Sequence, residues 1–198
     1  MTSDLRKAIQ EHGIYVCAPG EAIPGRDGMK EWHNVFRLRR ITQDGRLIPL
    51  IRDALSELMQ ADGLDPSEVQ FAGMETGAIP LITALALWHR TTGFVVRKEA
   101  RDHGTRHQFE GPITDKLVVL VDDLVSGGAR VWQCVDAIGI RASHLTVHRA
   151  VYTLVQNGEA SELPRGRTTL PVRAVFQRKD FDFTWVPERT ESYSDMLR

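Results

Sequence analysis

The chain reads as one α/β domain, with a mostly parallel central sheet flanked by helices. Three observations predict this. From Val69 onward short apolar strands alternate with helical stretches, the pattern of βαβ units, whose right-handed crossovers lay successive strands parallel. Residues 117–121 are an uninterrupted apolar run, as expected of a strand that helices cover on both faces. A length of 198 residues, 42% hydrophobic and 26% charged, suits a single globular domain, and no repeat, low-complexity tract or linker divides it. The same composition excludes a disordered chain, a collagen-like repeat and a coiled-coil rod.

Each element has a local reason. A short helix is expected over 4–11 with Ser3 as its N-cap, followed by a strand over 14–17. Residues 18–30 hold Pro19, Gly20, Pro24, Gly25 and Gly28 and read as a loop. Val35, Phe36 and Leu38 predict a strand, and Asp44-Gly45 a turn. Ile48, Ile51, Leu55 and Leu58 carry helical spacing through 47–59. Beyond that come strands over 69–73, 94–96, 117–121 and 145–154, with helices over 77–88 and 129–138 between them. Ligands of such sheets bind beyond the carboxyl ends of the strands, so chemistry is expected just after Gly73, Val96 and Val121.

Charge and cysteine usage narrow the function classes. Lys and Arg number 25 against 26 Asp and Glu, a balance that argues against a dedicated nucleic-acid binder. Cys17 and Cys134 stand far apart with no metal-ligand spacing, so they read as buried small side chains in a reducing, cytoplasmic setting. The polar N-terminus lacks the apolar core of a secretory signal. The longest apolar stretch, 78–88, is too short for a bilayer and contains Pro80 and Thr83, so no membrane is expected as a partner. His144 and His148 are expected to satisfy local hydrogen bonds rather than bind metal. The aromatic stretch 181–187 suits either a core edge or a dimer seam.

The sharpest signal follows residues 117–121. Asp122 and Asp123 precede Leu124, Val125 and a small-residue turn, Ser126, Gly127, Gly128, Ala129 and Arg130, that opens a helix. Backbone N–H groups of such a turn converge on a phosphate, aided by the helix dipole. Adjacent strand residues face opposite ways, so the two acids are not expected to share a proton. Ionised beside a phosphate cradle, they suit ribose hydroxyls and a hydrated divalent cation. A Walker B reading fails, because Gly20 to Gly25 is followed by Arg26-Asp27 where Walker A needs Lys and a hydroxyl. A phospho-receiver reading fails because its acid pair belongs on the first strand. The span 97–116, long and without helix or strand pattern, carries Arg97, Lys98, Arg101, His103, Arg106 and His107, and reads as a cationic cover for a polyphosphate.

Residues 118–128 (VVLVDDLVSGG) resemble the phosphoribosyl pyrophosphate (PRPP) signature of type I phosphoribosyltransferases. Residues 71–80 (FAGMETGAIP) resemble the pyrophosphate loop of the orotate phosphoribosyltransferase family, and 97–104 (RKEARDHG) its catalytic lid. The resemblance implies the type I phosphoribosyltransferase fold, with a small N-terminal hood over 1–60 and the family core over 69–154 within one domain, 1–198. It implies transfer of phosphoribosyl from PRPP to orotate in pyrimidine nucleotide synthesis, with Mg²⁺, in a homodimer that shares the lid across subunits. By the same likeness Asp122 and Asp123 hold ribose hydroxyls and magnesium waters, and residues 124–130 bind PRPP, with 126–130 on its 5′-phosphate. Thr76 and Gly77 offer backbone donors to pyrophosphate, while Arg97, Lys98, Arg101 and His103 close over it. The chain also departs from the family pattern. Arg101 replaces the catalytic lysine, and Ala129 and Arg130 replace hydroxyl-bearing residues. Of the acidic-Arg pair near the base only Arg149 remains as a candidate, and 24–28 with Trp32-His33 stand where the hood's Ser-Gly turn belongs. Orotate is therefore the leading acceptor. The alternatives are another base, such as a purine, and a regulatory module that binds PRPP without turnover.

Overall fold

The computed structural model describes residues 2–24, 31–99 and 108–186. Helix α1 (Thr2–His12) and strand β1 (Ile14–Val16) open the chain. Strands β2 (Ile23–Pro24) and β3 (Glu31–Trp32) form a small antiparallel ladder, and β4 (Asn34–Phe36) returns to pair antiparallel with β1. Helices α2 (Arg39–Thr42) and α3 (Ile48–Ala61) lead to β5 (Val69–Met74), α4 (Ile79–His89) and β6 (Gly93–Val96). The remainder comprises β7 (Phe109–Glu110), β8 (Leu117–Val125), α5 (Ala129–Arg141), β9 (Val147–Gln156), β10 (Glu162–Arg165) and β11 (Thr168–Gln177).

The main sheet has the order β10-β11-β9-β8-β5-β6-β7. Its five central strands are parallel, and only the edge strands β10 and β7 run antiparallel. Successive parallel strands leave β5 in opposite directions, β6 to one side and β8 to the other, so the β5/β8 boundary is the switch point at which such sheets bind ligands. On one face of the sheet, Ile9 of α1, Leu55 of α3 and Leu85 of α4 pack with Phe71, Val119 and Val121. On the other, Val131, Cys134 and Ile138 of α5 pack with Ala72, Val118 and Leu120. Strand β8 alternates between two cores, which is why its sequence shows no polar face.

Several expectations shift. Helix α1 begins at Thr2, which puts Ser3 inside the first turn rather than at the cap. The loop expected over 18–30 contains β2, whose pairing with β3 sequence periodicity cannot show. The strand around Val35 stops at Phe36, and the unexpected α2 follows it. Helix α4 starts two residues late, with Pro80 in its first turn, where a missing N–H costs nothing. The third parallel strand runs on to Val125, so Asp122 and Asp123 lie within it. Strands β7, β10 and β11 go beyond what the sequence pattern predicts. The aromatic tail proves a core edge as far as Phe183: Phe36 packs edge-on against both Phe181 and Phe183, with ring centroids 5.6 and 5.4 Å away. Cys17 and Cys134 are buried and free, and His148 stands 3.4 Å from the Tyr152 hydroxyl as a local partner. Among the described residues, no helix is long and apolar enough to cross a membrane.

Candidate active site

A cavity of about 920 Å³ opens at the carboxyl ends of β5 and β8. Thr76 and Gly77 enter it from the β5–α4 loop, and Asp122, Asp123, Leu124 and Val125 from the end of β8. Ser126, Gly127, Gly128, Ala129 and Arg130 line it as the turn into α5, and Lys98 from the segment after β6. Most of the predicted site thus comes together at the switch point.

The acid pair splits between the two faces of the sheet. Asp122 is buried on the α5 side, and its carboxylate accepts the Asp123 backbone N–H at 2.9 Å. Burial first, and then the neighbouring Asp123 charge, hold its carboxyl well above the usual carboxylate range. Burial, with Asp122 beside it, pushes the Cys134 thiol up to about 12. Asp123 turns the other way, against Gly77, where an added Cβ would lie 2.6 Å from the Asp123 Cγ. Only glycine at 77 lets the β5–α4 loop lie this close to the Asp123 carboxylate.

The turn into α5 is a ready anion cradle. Gly128 precedes the helix at φ +76°, and a Cβ there would come within 2.7 Å of Leu163 in β10. The first helical bond runs from the Trp132 N–H to the Gly128 carbonyl at 3.0 Å, and no side chain caps the end. The N–H groups preceding Trp132 therefore lack intrahelical acceptors, and the residues that carry them line the cavity.

Other predicted residues are placed differently. Arg97 does not line the cavity: its Nη1 donates to Glu110 at 2.7 Å and its Nη2 lies 3.8 Å from Glu75. Glu75 also accepts the Lys98 backbone N–H at 3.0 Å. The two acids thus hold the segment that follows β6. Arg101 and His103 lie outside the described residues. Arg149 must be corrected as a base-binding candidate. It is exposed near the start of β9, between the registers Val118↔Val147 and Leu120↔Val151, at the end of the sheet away from the cavity. Asn157, just past the carboxyl end of β9, stands beside Ser126 instead.

Sequence reasoning missed the opposite wall, made by Phe36, Arg37, Arg39 and Arg40 with Gln43, and it missed Glu75. The available signal is the basic run around Leu38, a segment whose apolar residues alone predict only a strand. Five cations, Arg37, Arg39, Arg40, Lys98 and Arg130, line the cavity together with Glu75, Asp122 and Asp123. Cations outnumber acids, which favours an anionic ligand. Among the described residues no group of three or more His, Cys, Asp or Glu converges to hold a metal ion.

The fold, a mostly parallel sheet flanked by helices, is that of the type I phosphoribosyltransferases, on whose solved members the chain superposes. The orotate phosphoribosyltransferase of Mycobacterium tuberculosis in complex with PRPP matches with a TM-score of 0.65 at 25% identity, over 90% of this chain and 97% of that one. The orotate phosphoribosyltransferase of Aeropyrum pernix matches with a TM-score of 0.69 at 23% identity, over 88% and 93%. A curated orotate phosphoribosyltransferase from Thermococcus kodakarensis is 30% identical over 150 residues, 74% of this chain and 78% of the relative. No family model matches. The chain belongs to the orotate phosphoribosyltransferase family.

Proposed function

We propose that this enzyme transfers phosphoribosyl from PRPP to orotate, giving orotidine 5′-monophosphate and pyrophosphate, as a homodimer using Mg²⁺. One observation carries the reading: a single cavity joins the uncapped turn 126–130, the acid pair and the Thr76–Gly77 loop. The wall arginines support a base that bears a carboxylate, as orotate does and purines do not.

In the reaction the bond from ribose C1 to the pyrophosphate oxygen breaks while a ring nitrogen of the base bonds to C1. Positive charge grows on the ribose and negative charge on the leaving group, so preplaced donors matter most around the pyrophosphate. The turn 126–130 holds the 5′-phosphate and fixes the sugar. Asp122 and Asp123 orient the ribose hydroxyls, and Thr76 and Gly77 present backbone N–H groups to the pyrophosphate. Lys98, Arg101 and His103 belong to the lid that closes over it, excluding water. Arg97 acts as the anchor of that lid. Asp122 and Asp123 would hold a hydrated magnesium ion beside the substrate. Bound there, the ion would supply positive charge against the departing pyrophosphate. Helix α4 is apolar around its circumference and leaves Leu87 79% exposed, which supports its use as a subunit contact.

The test is pyrophosphate release from PRPP with orotate, uracil, adenine and hypoxanthine, alongside calorimetry of PRPP binding and sedimentation. Release with orotate from a particle of twice 22.3 kDa is expected. Release only with another base assigns that base instead, and binding without release from any base assigns a regulatory role.

Arginine at 101 stays protonated and is a poor general acid where the family carries lysine. Arg101→Lys is expected to raise kcat about tenfold or more in the same assay, and an unchanged kcat refutes that role.

A further inference from the structure

Arg178, the residue after β11, lies outside the cavity lining yet joins three segments that shape it. Its Nη1 donates to the Asn157 Oδ1 at 2.8 Å and its Nη2 to the Asn34 Oδ1 at 2.6 Å. Its guanidinium carbon sits 3.9 Å from the centre of the Phe183 ring. Asn157 in turn donates its Nδ2 to the Ser126 Oγ at 3.1 Å, and its backbone N–H bonds the Val125 carbonyl at 2.7 Å.

The chemistry of these groups gives the chain of bonds a direction. A guanidinium has donors only, so it takes the oxygen end of the Asn157 amide and leaves the NH₂ end for Ser126. The Ser126 oxygen accepts that bond, which directs its own proton away from Asn157 and toward the cavity. Gly158 makes the approach feasible, since a Cβ there would come 3.0 Å from the Ser126 carbonyl oxygen. The second arm works on the opposite wall. Asn34 lies in β4 two residues before Phe36, which lines the cavity, and Phe36 packs edge-on against the same Phe183 that Arg178 covers.

We propose that Arg178 is a positioning residue for the transfer reaction: through Asn157 it holds the Ser126 hydroxyl as a donor aimed at the 5′-phosphate of PRPP, and through Asn34 it fixes the wall that carries Phe36. This rests on the reading of the turn 126–130 as the 5′-phosphate site. The chain places an always-charged side chain, reached only after the last strand of the sheet, in control of a hydroxyl 52 residues earlier in sequence.

Asn157→Asp separates this role from simple support of the fold. It keeps an acceptor for Arg178, now charged, but removes the N–H donor, so the Ser126 hydroxyl turns inward to donate to the new carboxylate. Steady-state kinetics are expected to show the KM for PRPP raised about tenfold, more than kcat falls, with no loss in Tm. Arg178→Met is expected to raise the same KM, Arg178→Lys to restore part of it, and Arg178→Met in a Ser126→Ala background to keep only the part of its effect that runs through Asn34. A KM raised by Ser126→Ala but unchanged by Asn157→Asp overturns the role of Arg178 and leaves the phosphate site standing. A KM unchanged by Ser126→Ala as well overturns both.

Discussion

Asp123→Asn is expected to lower kcat/KM for PRPP by roughly 10²-fold, the scale seen when one preplaced electrostatic group is lost from a reacting centre. Asp123 is the half of the acid pair that faces the cavity from the α4 side, against Gly77. Gly77→Ala is expected to cause a loss of similar size without touching a charge. Its new methyl would occupy the space of the Asp123 carboxylate, whose Cγ would lie 2.6 Å from the added Cβ. Asp123 is short and rooted in β8, so it can give way only by rotating out of its working position. The two effects should therefore overlap. The double variant is expected to be little worse than either single one in initial-rate assays of pyrophosphate release, because both remove the same placed carboxylate. Losses that multiply would mean that Gly77 acts through its own backbone, independently of Asp123.

Local pattern sufficed for the parts of the molecule in which one segment determines its own state. The apolar run at 117–121, the acids and the glycine-rich opening of α5 each follow from side-chain type and spacing, and together they located the cavity. Tertiary pairing decided the rest. Asp122 and Asp123 look like the end of a strand, yet β8 continues because Asp122 pairs with Thr153 and Val125 with Gln156. Strands β10 and β11 carry Pro164 and Pro171 and several exposed side chains, features that disguise strands at one side of the sheet. Arg149 looks suitable by composition, but strand direction puts it at the wrong end of the sheet. The arginine wall and Arg178 depend on contacts between distant segments, such as the bond from Arg178 to Asn34 across 144 residues. No periodicity encodes such contacts.

The same acid pair carries a pH signature. In the native chain the Asp122 carboxyl is held above its ordinary value of 3.8, by burial first and by Asp123 next. Above that ordinary value the unfolded chain has released a proton that the native chain still holds, so raising the pH favours unfolding. The contribution of Asp122 to stability is complete below its unfolded pKa and is lost as pH climbs through the native one. Asp122→Asn keeps the shape, removes the titration and spares the interior a buried charge. Thermal melts are expected to show the variant more stable than the parent at about pH 8, with the difference narrowing toward about pH 4. A difference that does not change with pH would mean that Asp122 titrates alike in both states. At the higher pH the variant is also expected to turn over far more slowly, since the ribose hydroxyls lose an anionic acceptor. A gain in stability coupled to a loss of rate is the mark of a residue kept in an unfavourable environment for its chemistry.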